Sequence, residues 1–303
     1  MKRLLLLLCL IPLQTAAKVL IITHSFNRPD FIELHLKTFN AFLQDSYEYV
    51  VFNDADQEDM KRHIEETCKR CGVRCFRVPQ HMQGRQSAGT RHMDGIKYAL
   101  EKVGYDHDGV VALVDSDMFL IKPFSIEKYL EGYDIAGDLQ GRGNNTIEVR
   151  YLSPALVFMN MQTLPNRRTL SFEGGYIEGL GCDVGGHTYY YLKNNPSVRP
   201  SFFGVLHIGV WKVGLNCRLC SNMTCVDCTQ RLRDSGFDDM VIKYIQACPD
   251  NIEFNLNHSF LHYRGGSNWD HKSAEYHCMK TRALNDFMSA IVQAQKLSKE
   301  QQN

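Results

Sequence analysis

Short, wholly apolar runs alternate with amphipathic stretches through the first half of this chain. Lys18-Val-Leu-Ile-Ile-Thr23 is continuous enough to predict a strand buried on both faces. His24 to Arg28 then forms a loop, and Pro29 suits the first position of a helix. Ile32, Leu36, Phe39 and Leu43 follow at helical spacing. Tyr47 to Phe52 predicts a second strand, closed by Asn53, Asp54 and Asp56. A charged helix from Glu58 to Lys69 leads to a strand near Val73 to Val78. Met93, Ile96, Leu100 and Val103 mark another amphipathic helix, which feeds the apolar run Val110 to Leu120. Strand and helix in alternation predict an α/β fold: a Rossmann-type, mostly parallel sheet flanked by helices, with ligand sites at the strands' carboxyl ends.

The second half is less regular. Ala155 to Asn160 is a further apolar run, ended by Leu164-Pro165. Gly174, Gly175, Gly179, Gly181, Gly185 and Gly186 crowd around Asp183, which predicts tight backbone turns beside a site. Asp183 caps the helix expected over His187 to Lys193 or lies just before it. The stretch Cys217 to Cys228 predicts an irregular, cysteine-rich excursion. A last helix is expected from Glu275 to Leu297, with Ser298 to Asn303 fraying.

Chemistry enters at Val110-Val-Ala-Leu-Val-Asp115-Ser-Asp117-Met-Phe-Leu120, where two carboxylates interrupt an apolar run. Leaving them ionised and unpaired there would cost several kcal/mol or more. A divalent cation at the strand's carboxyl end removes that cost, and hard cations such as Mg²⁺ or Mn²⁺ keep positions open for phosphates. The segment therefore predicts a metal-bridged diphosphate. The alternative is a solvated surface turn after a buried strand.

Composition narrows the partners. Of 303 residues 44% are hydrophobic and 22% charged, and 34 basic side chains balance 34 acidic ones, so nothing suggests a nucleic-acid surface. Met1-Lys-Arg3, the apolar Leu4 to Leu13 and Thr15-Ala16-Ala17 fit a signal peptide over 1–17, with the mature chain starting near Lys18. That apolar core is too short to span a bilayer, and no later segment is long enough. Removal of Cys9 with the leader leaves an even number of cysteines, predicting disulfides in an oxidising lumen. Zinc at Cys217, Cys220, Cys225 and Cys228 is the alternative. Asn144, Asn222 and Asn257 head glycosylation sequons. The expected location is the ER or Golgi lumen, or outside the cell.

Together, Thr23-His-Ser-Phe-Asn-Arg-Pro29, the Asp54 turn and Val114-Asp-Ser-Asp-Met-Phe119 resemble the GT-A-type glycosyltransferases, in element order over Lys18 to about Lys193 and more weakly to His262. The resemblance implies a GT-A-like fold over 18–303, with a nucleotide-binding half near 18–120 and an acceptor-binding half near 121–303. It implies a Mn²⁺ or Mg²⁺ ion on Asp115 and Asp117, with His262 completing the shell. Asn27, Arg28, Asp54, Arg91 and Ser116 would bind a UDP- or GDP-sugar. The acceptor would be a hydroxyl of a glycan, protein or lipid. If the enzyme inverts, a carboxylate must deprotonate that hydroxyl, and Asp183 is the candidate, although it follows Cys182 where inverting relatives often carry a second acid.

Each assignment has a plainer alternative. Asp54 suits an Asx turn, Asp183 a helix cap, and Arg28 and Arg91 ordinary ion pairs. His262 suits a hydrogen-bonded core position, or one face shared with His258 four residues earlier. Two other functions fit the paired aspartates: a nucleotidyltransferase, against which stands the lack of a Gly-rich phosphate loop after the first strand, and a secreted binding protein of this fold without turnover.

Overall fold

The computed structural model describes residues 19–79, 87–144, 146–208, 226–247, 252–266 and 273–302. The proposed leader, Cys217, Cys220, Cys225, Cys248 and the Asn222 sequon lie outside them. The first half forms as its periodicity predicts: β1 (Val19–Ser25), α1 (Pro29–Phe42), β2 (Tyr47–Asn53), α2 (Glu58–Cys71), β3 (Arg74–Arg77), α3 (Ala88–Ala99) and β4 (Val110–Val114). Pro29 opens α1, and Gly72, at φ 67°, closes α2 in the left-handed conformation that glycine adopts without strain.

Beyond Val114 the chain departs from expectation. The apolar run to Leu120 is not one strand. The Asp115 N–H turns to the Ala155 carbonyl at 2.9 Å and the Met118 N–H returns to the Asp115 carbonyl at 3.0 Å. The chain then re-emerges as β5 (Met118–Leu120) in a different sheet. There follow α4 (Ile126–Tyr129), β6 (Ile135–Gly143), β7 (Glu148–Asn160), the short hairpin β8 (Gly175–Ile177) and β9 (Leu180–Cys182), and α5 (Thr188–Asn194). The chain continues through β10 (Pro200–Phe203), β11 (Val205–Ile208), α6 (Val226–Asp234), α7 (Asp239–Ala247), β12 (Ile252–Asn255), β13 (Phe260–His262) and α8 (Ala274–Gln302).

The main sheet has seven strands in the order β10-β6-β7-β4-β1-β2-β3, and only β7 runs against the rest. The α/β expectation is met: the sheet is mostly parallel and helices flank it. One core layer joins α1, α7 and α8 to one sheet face through Phe31, Phe39, Phe158, Phe260 and Leu284. A second joins α3 to the other face through Ile22, Phe52, Ile96 and Leu152. β5, β13, β12 and β11 form a smaller sheet against the first.

Three further expectations are corrected. The tail does not fray at Ser298, because α8 stays helical to Gln302. His258 does not share a face with His262: it sits in the β12–β13 turn at φ 65° and stacks on Phe237 at 3.9 Å. Cys68, Cys71, Cys75, Cys182 and Cys278 carry free thiols, so the expected pairing is not formed among these five. Among the described residues no helix is long and apolar enough to cross a membrane.

Candidate metal centre

The turn at Asp115 hands the chain from one sheet to the other, and this builds the site. The parallel strands β1, β2 and β4 end together, placing Asn27, Asp54 and Asp115 along one rim. On the other side β13 lies between β5 and β12, with His262 beside Met118 and opposite Glu253. Ligand atoms of Asp115, Asp117 and His262 thereby come within 4.8 Å of one another. Cations with ligands at about 2.0–2.6 Å span such a gap with modest side-chain rotation.

Each ligand is held from behind. His92, on α3, sets its Nε2 3.0 Å from Asp115 Oδ1. Asp117 Oδ2 accepts the Gly266 N–H at 2.7 Å, and its Oδ1 lies 3.3 Å from His262 Nε2. Arg264 and Gly265, at φ 53° and 66°, bend the backbone so that the Gly266 N–H reaches Asp117. His262 Nδ1 meets Glu253 Oε2 at 2.8 Å. Glu253 in turn is paired with His207 at 2.6 Å and with Arg264. A carboxylate behind a histidine, leaving the other ring nitrogen facing the ligand position, is the usual support for a metal-binding imidazole.

Electrostatics follow the geometry. Burial alone would lower the His262 pKa, but the charge and hydrogen bond of Asp117, with those of Glu253, push it up to about 10. Burial would raise Asp117; His262, the Gly266 N–H and Lys280 outweigh it and hold the carboxyl at about 2. Burial likewise opposes ionisation of Asp115, yet the His92 charge draws its pKa down. His92 is raised against its own burial by Asp115, with Asp54 and Asp117 adding to it. Protonated His262 thus supplies positive charge that a divalent cation would otherwise bring, and Asp115 shifts His92 in the same direction. Two carboxylate oxygens and one imidazole nitrogen form a donor set that could hold a divalent cation.

The other expected site residues take varied positions. Ser116 is 6% exposed between the two aspartates. Asp54 is buried at the end of β2, where its N–H bonds the Ser25 carbonyl. Next to it, Asn53 makes an Asx contact, its Oδ1 accepting the Ala55 N–H. Asn27 is half-buried in the loop after β1. Arg28 is 2% exposed, stacks over Phe31, pairs with Asp30 and donates to the Gly266 carbonyl at 3.1 Å. It therefore braces the loop that holds Asp117. Arg91 lies over the Phe26 ring at 3.7 Å, and its buried Nε has no hydrogen-bond partner among the described residues. Asp183 is exposed just before α5, and its Oδ1 accepts the Val184 N–H. It borders Gly89 in the first turn of α3, the helix that carries His92.

Sequence reasoning missed His92, Glu253 and Gly266. Glu253 alone carried a signal, as a lone charge in the apolar strand Ile252-Glu-Phe-Asn255. His92 and Gly266 carried none, because their partners are far away in the chain.

No protein-family model matches the sequence, and no curated protein does. Among solved structures, the chain is similar to a mannosyltransferase from Pyrobaculum calidifontis in complex with GDP-Man and Mn²⁺, at 10% identity and a TM-score of 0.40 over 96% of this chain and 77% of that one. It is also similar to glucosyl-3-phosphoglycerate synthase from Mycobacterium tuberculosis in complex with phosphoglyceric acid, at 13% identity and a TM-score of 0.38 over 61% of this chain and 69% of that one. A third likeness, to the WbbM bifunctional glycosyltransferase, has 10% identity and a TM-score of 0.34, covering 50% of this chain and 33% of that one. Likenesses this distant assign neither substrate nor residue roles here.

Proposed function

We propose that the protein is a metal-dependent glycosyltransferase of GT-A type, moving a sugar from a nucleotide-sugar to an acceptor hydroxyl in the secretory lumen or outside the cell. The observation that carries the reading is the Asp115, Asp117 and His262 cluster at the carboxyl end of the parallel strands. A nucleoside diphosphate leaves poorly until its developing charge is neutralised, and a bound Mn²⁺ or Mg²⁺ would supply that neutralisation. Asp115 and Asp117 provide two oxygens, and His262 provides Nε2 once its proton is displaced. His92 and Glu253 hold these groups in place, and Arg28 does so through the Gly266 loop.

Polar atoms at the end of β1 support a donor seated there. Ser25 Oγ and, on α3, Arg91 Nε are buried without hydrogen-bond partners among the described residues. Burial, with the neighbouring His92 charge, lowers the His24 pKa to about 4, so its imidazole stays neutral. Asn27, Asp54 and Ser116 line the same rim and would meet the nucleoside and diphosphate. In this reading 18–303 acts as one domain, since the cluster draws on both halves.

Calorimetric titration with UDP and GDP, in Mn²⁺ and then in EDTA, tests the proposal. Binding that requires metal, and is abolished by Asp117→Asn, is the expected result. A folded protein that binds neither nucleotide would refute it.

A further inference from the structure

One carboxylate, Asp138, feels the charges around the metal cluster without belonging to it. β6 and β7 run on past the end of β4. Val114, the last residue of β4, pairs with Leu156. Residues 148–153 of β7 and their partners 138–143 of β6 therefore project beyond that strand as a two-stranded ribbon. The ribbon is anchored at the metal turn, where the Asp115 N–H bonds the Ala155 carbonyl at 2.9 Å.

At the ribbon's base the register shifts between Gly137 and Asp138. Such irregularities re-aim a side chain at a sheet rim. Here a side chain at 137 has little room, since a Cβ would come within 3.1 Å of Leu152. Asp138 is half-buried, and the charges acting on it come from the smaller sheet: Glu253 on β12, His262 on β13, His207 on β11 and Arg264 just after β13. Burial, with Glu253 beside it, pushes its carboxyl up to about 6, against the three basic groups.

Two residues on, and so on the same face, is Gln140. Its Oε1 is buried and has no hydrogen-bond partner among the described residues. A buried carbonyl oxygen left without a donor is unfavourable, so the position suits a ligand that brings an O–H or N–H. Gln140 pairs across the ribbon with Tyr151, whose hydroxyl accepts the Asp183 N–H at 3.2 Å. The face thus runs from the neighbours of His262 towards the glycine-rich turn.

We propose that this ribbon face is the acceptor subsite for a polyhydroxylated molecule, with Asp138 as general base and Gln140 accepting from a neighbouring hydroxyl. The inference rests on the transferase reading above and replaces Asp183 as the base. In the step, the acceptor oxygen bonds to the anomeric carbon while that carbon's bond to the diphosphate oxygen breaks. The diphosphate leaves with the bonding pair, and the acceptor's proton passes to Asp138. A carboxylate with a pKa near 6 is ionised at neutral pH and basic enough to assist. Asp183 is less suited, because it is exposed and its Oδ1 is already engaged by the Val184 N–H.

The test uses the mature chain with Mn²⁺, UDP-glucose and GDP-mannose as donors and water as acceptor. It reads nucleotide release together with calorimetric nucleotide binding. Asp138→Asn should lower release by about 100-fold or more while metal-dependent binding stays within about twofold. The assignment is overturned if Asp138→Asn releases nucleotide at the wild-type rate, if Asp183→Asn alone causes the loss, or if wild type binds nucleotide and never releases it from either donor. A wild-type protein that binds no nucleotide overturns the transferase reading, and this inference with it.

Discussion

Glu253→Gln isolates what the carboxylate behind His262 contributes to metal binding. The substitution keeps the size of the side chain and an oxygen for Nδ1, but removes the charge from a group only 7% exposed. Carboxylates that orient a ligating histidine are worth about 10–100-fold in metal affinity. At about 1.4 kcal/mol per decade, that is about 1.4–2.8 kcal/mol. Three donors, from His262, His207 and Arg264, converge on Glu253, so the upper half of that range is expected. Protons act in the opposite direction. Glu253 helps hold the His262 pKa at about 10, and a metal must displace that proton. Removing the charge lowers the His262 pKa and eases this competition, which offsets part of the loss. Mn²⁺ titration followed by calorimetry or by the spin-resonance signal of free Mn²⁺ measures it. Affinities within about twofold would refute the supporting role of Glu253.

Other outcomes follow from the same geometry. Gly266→Ala would put a Cβ 2.8 Å from that of Asp117 and 2.7 Å from Phe31, so it should weaken Mn²⁺ binding and lower stability by about 1–3 kcal/mol, read by titration and by denaturant unfolding. Asp134, 4% exposed and hydrogen-bonded to Arg199 between β6 and β10, is held at about 2 by that contact. Its contribution of about 1–2 kcal/mol is full above the ordinary aspartate pKa and lost as pH falls towards 2, so Asp134→Asn should destabilise the protein at neutral pH and little at about pH 2. Expression in a eukaryotic secretory system should yield a mature chain beginning near Lys18; N-terminal sequencing that finds Met1 would remove the leader and the lumenal location from the proposal.

Where a residue's neighbours in sequence are also its neighbours in space, the chain was legible. α1 begins at Pro29, as its φ and missing N–H favour, and β1, β2 and β4 are buried because their runs are apolar on both faces. The change of sheets at Asp115 was not legible. Apolar residues flank it on both sides, and the cause is a backbone bond to Ala155 in a strand formed later in the chain. The helical tail was missed for a similar reason. Ser298 to Gln302 look polar and terminal, but Lys299 reaches back to the Ala41 carbonyl at the end of α1.

By itself, the sequence determined that two carboxylates end a buried strand of a mostly parallel sheet, because burial and charge conflict there whatever the rest of the fold does. Only the tertiary structure decided what resolves the conflict. The Gly266 N–H that grips Asp117 lies 149 residues away. His262 acquires Glu253 through a cross-strand pair, and the register between β6 and β7 shifts at Asp138. Histidine, glutamate and glycine look alike locally whether they support a site or merely cover a surface; only folding brings their charges within reach of one another.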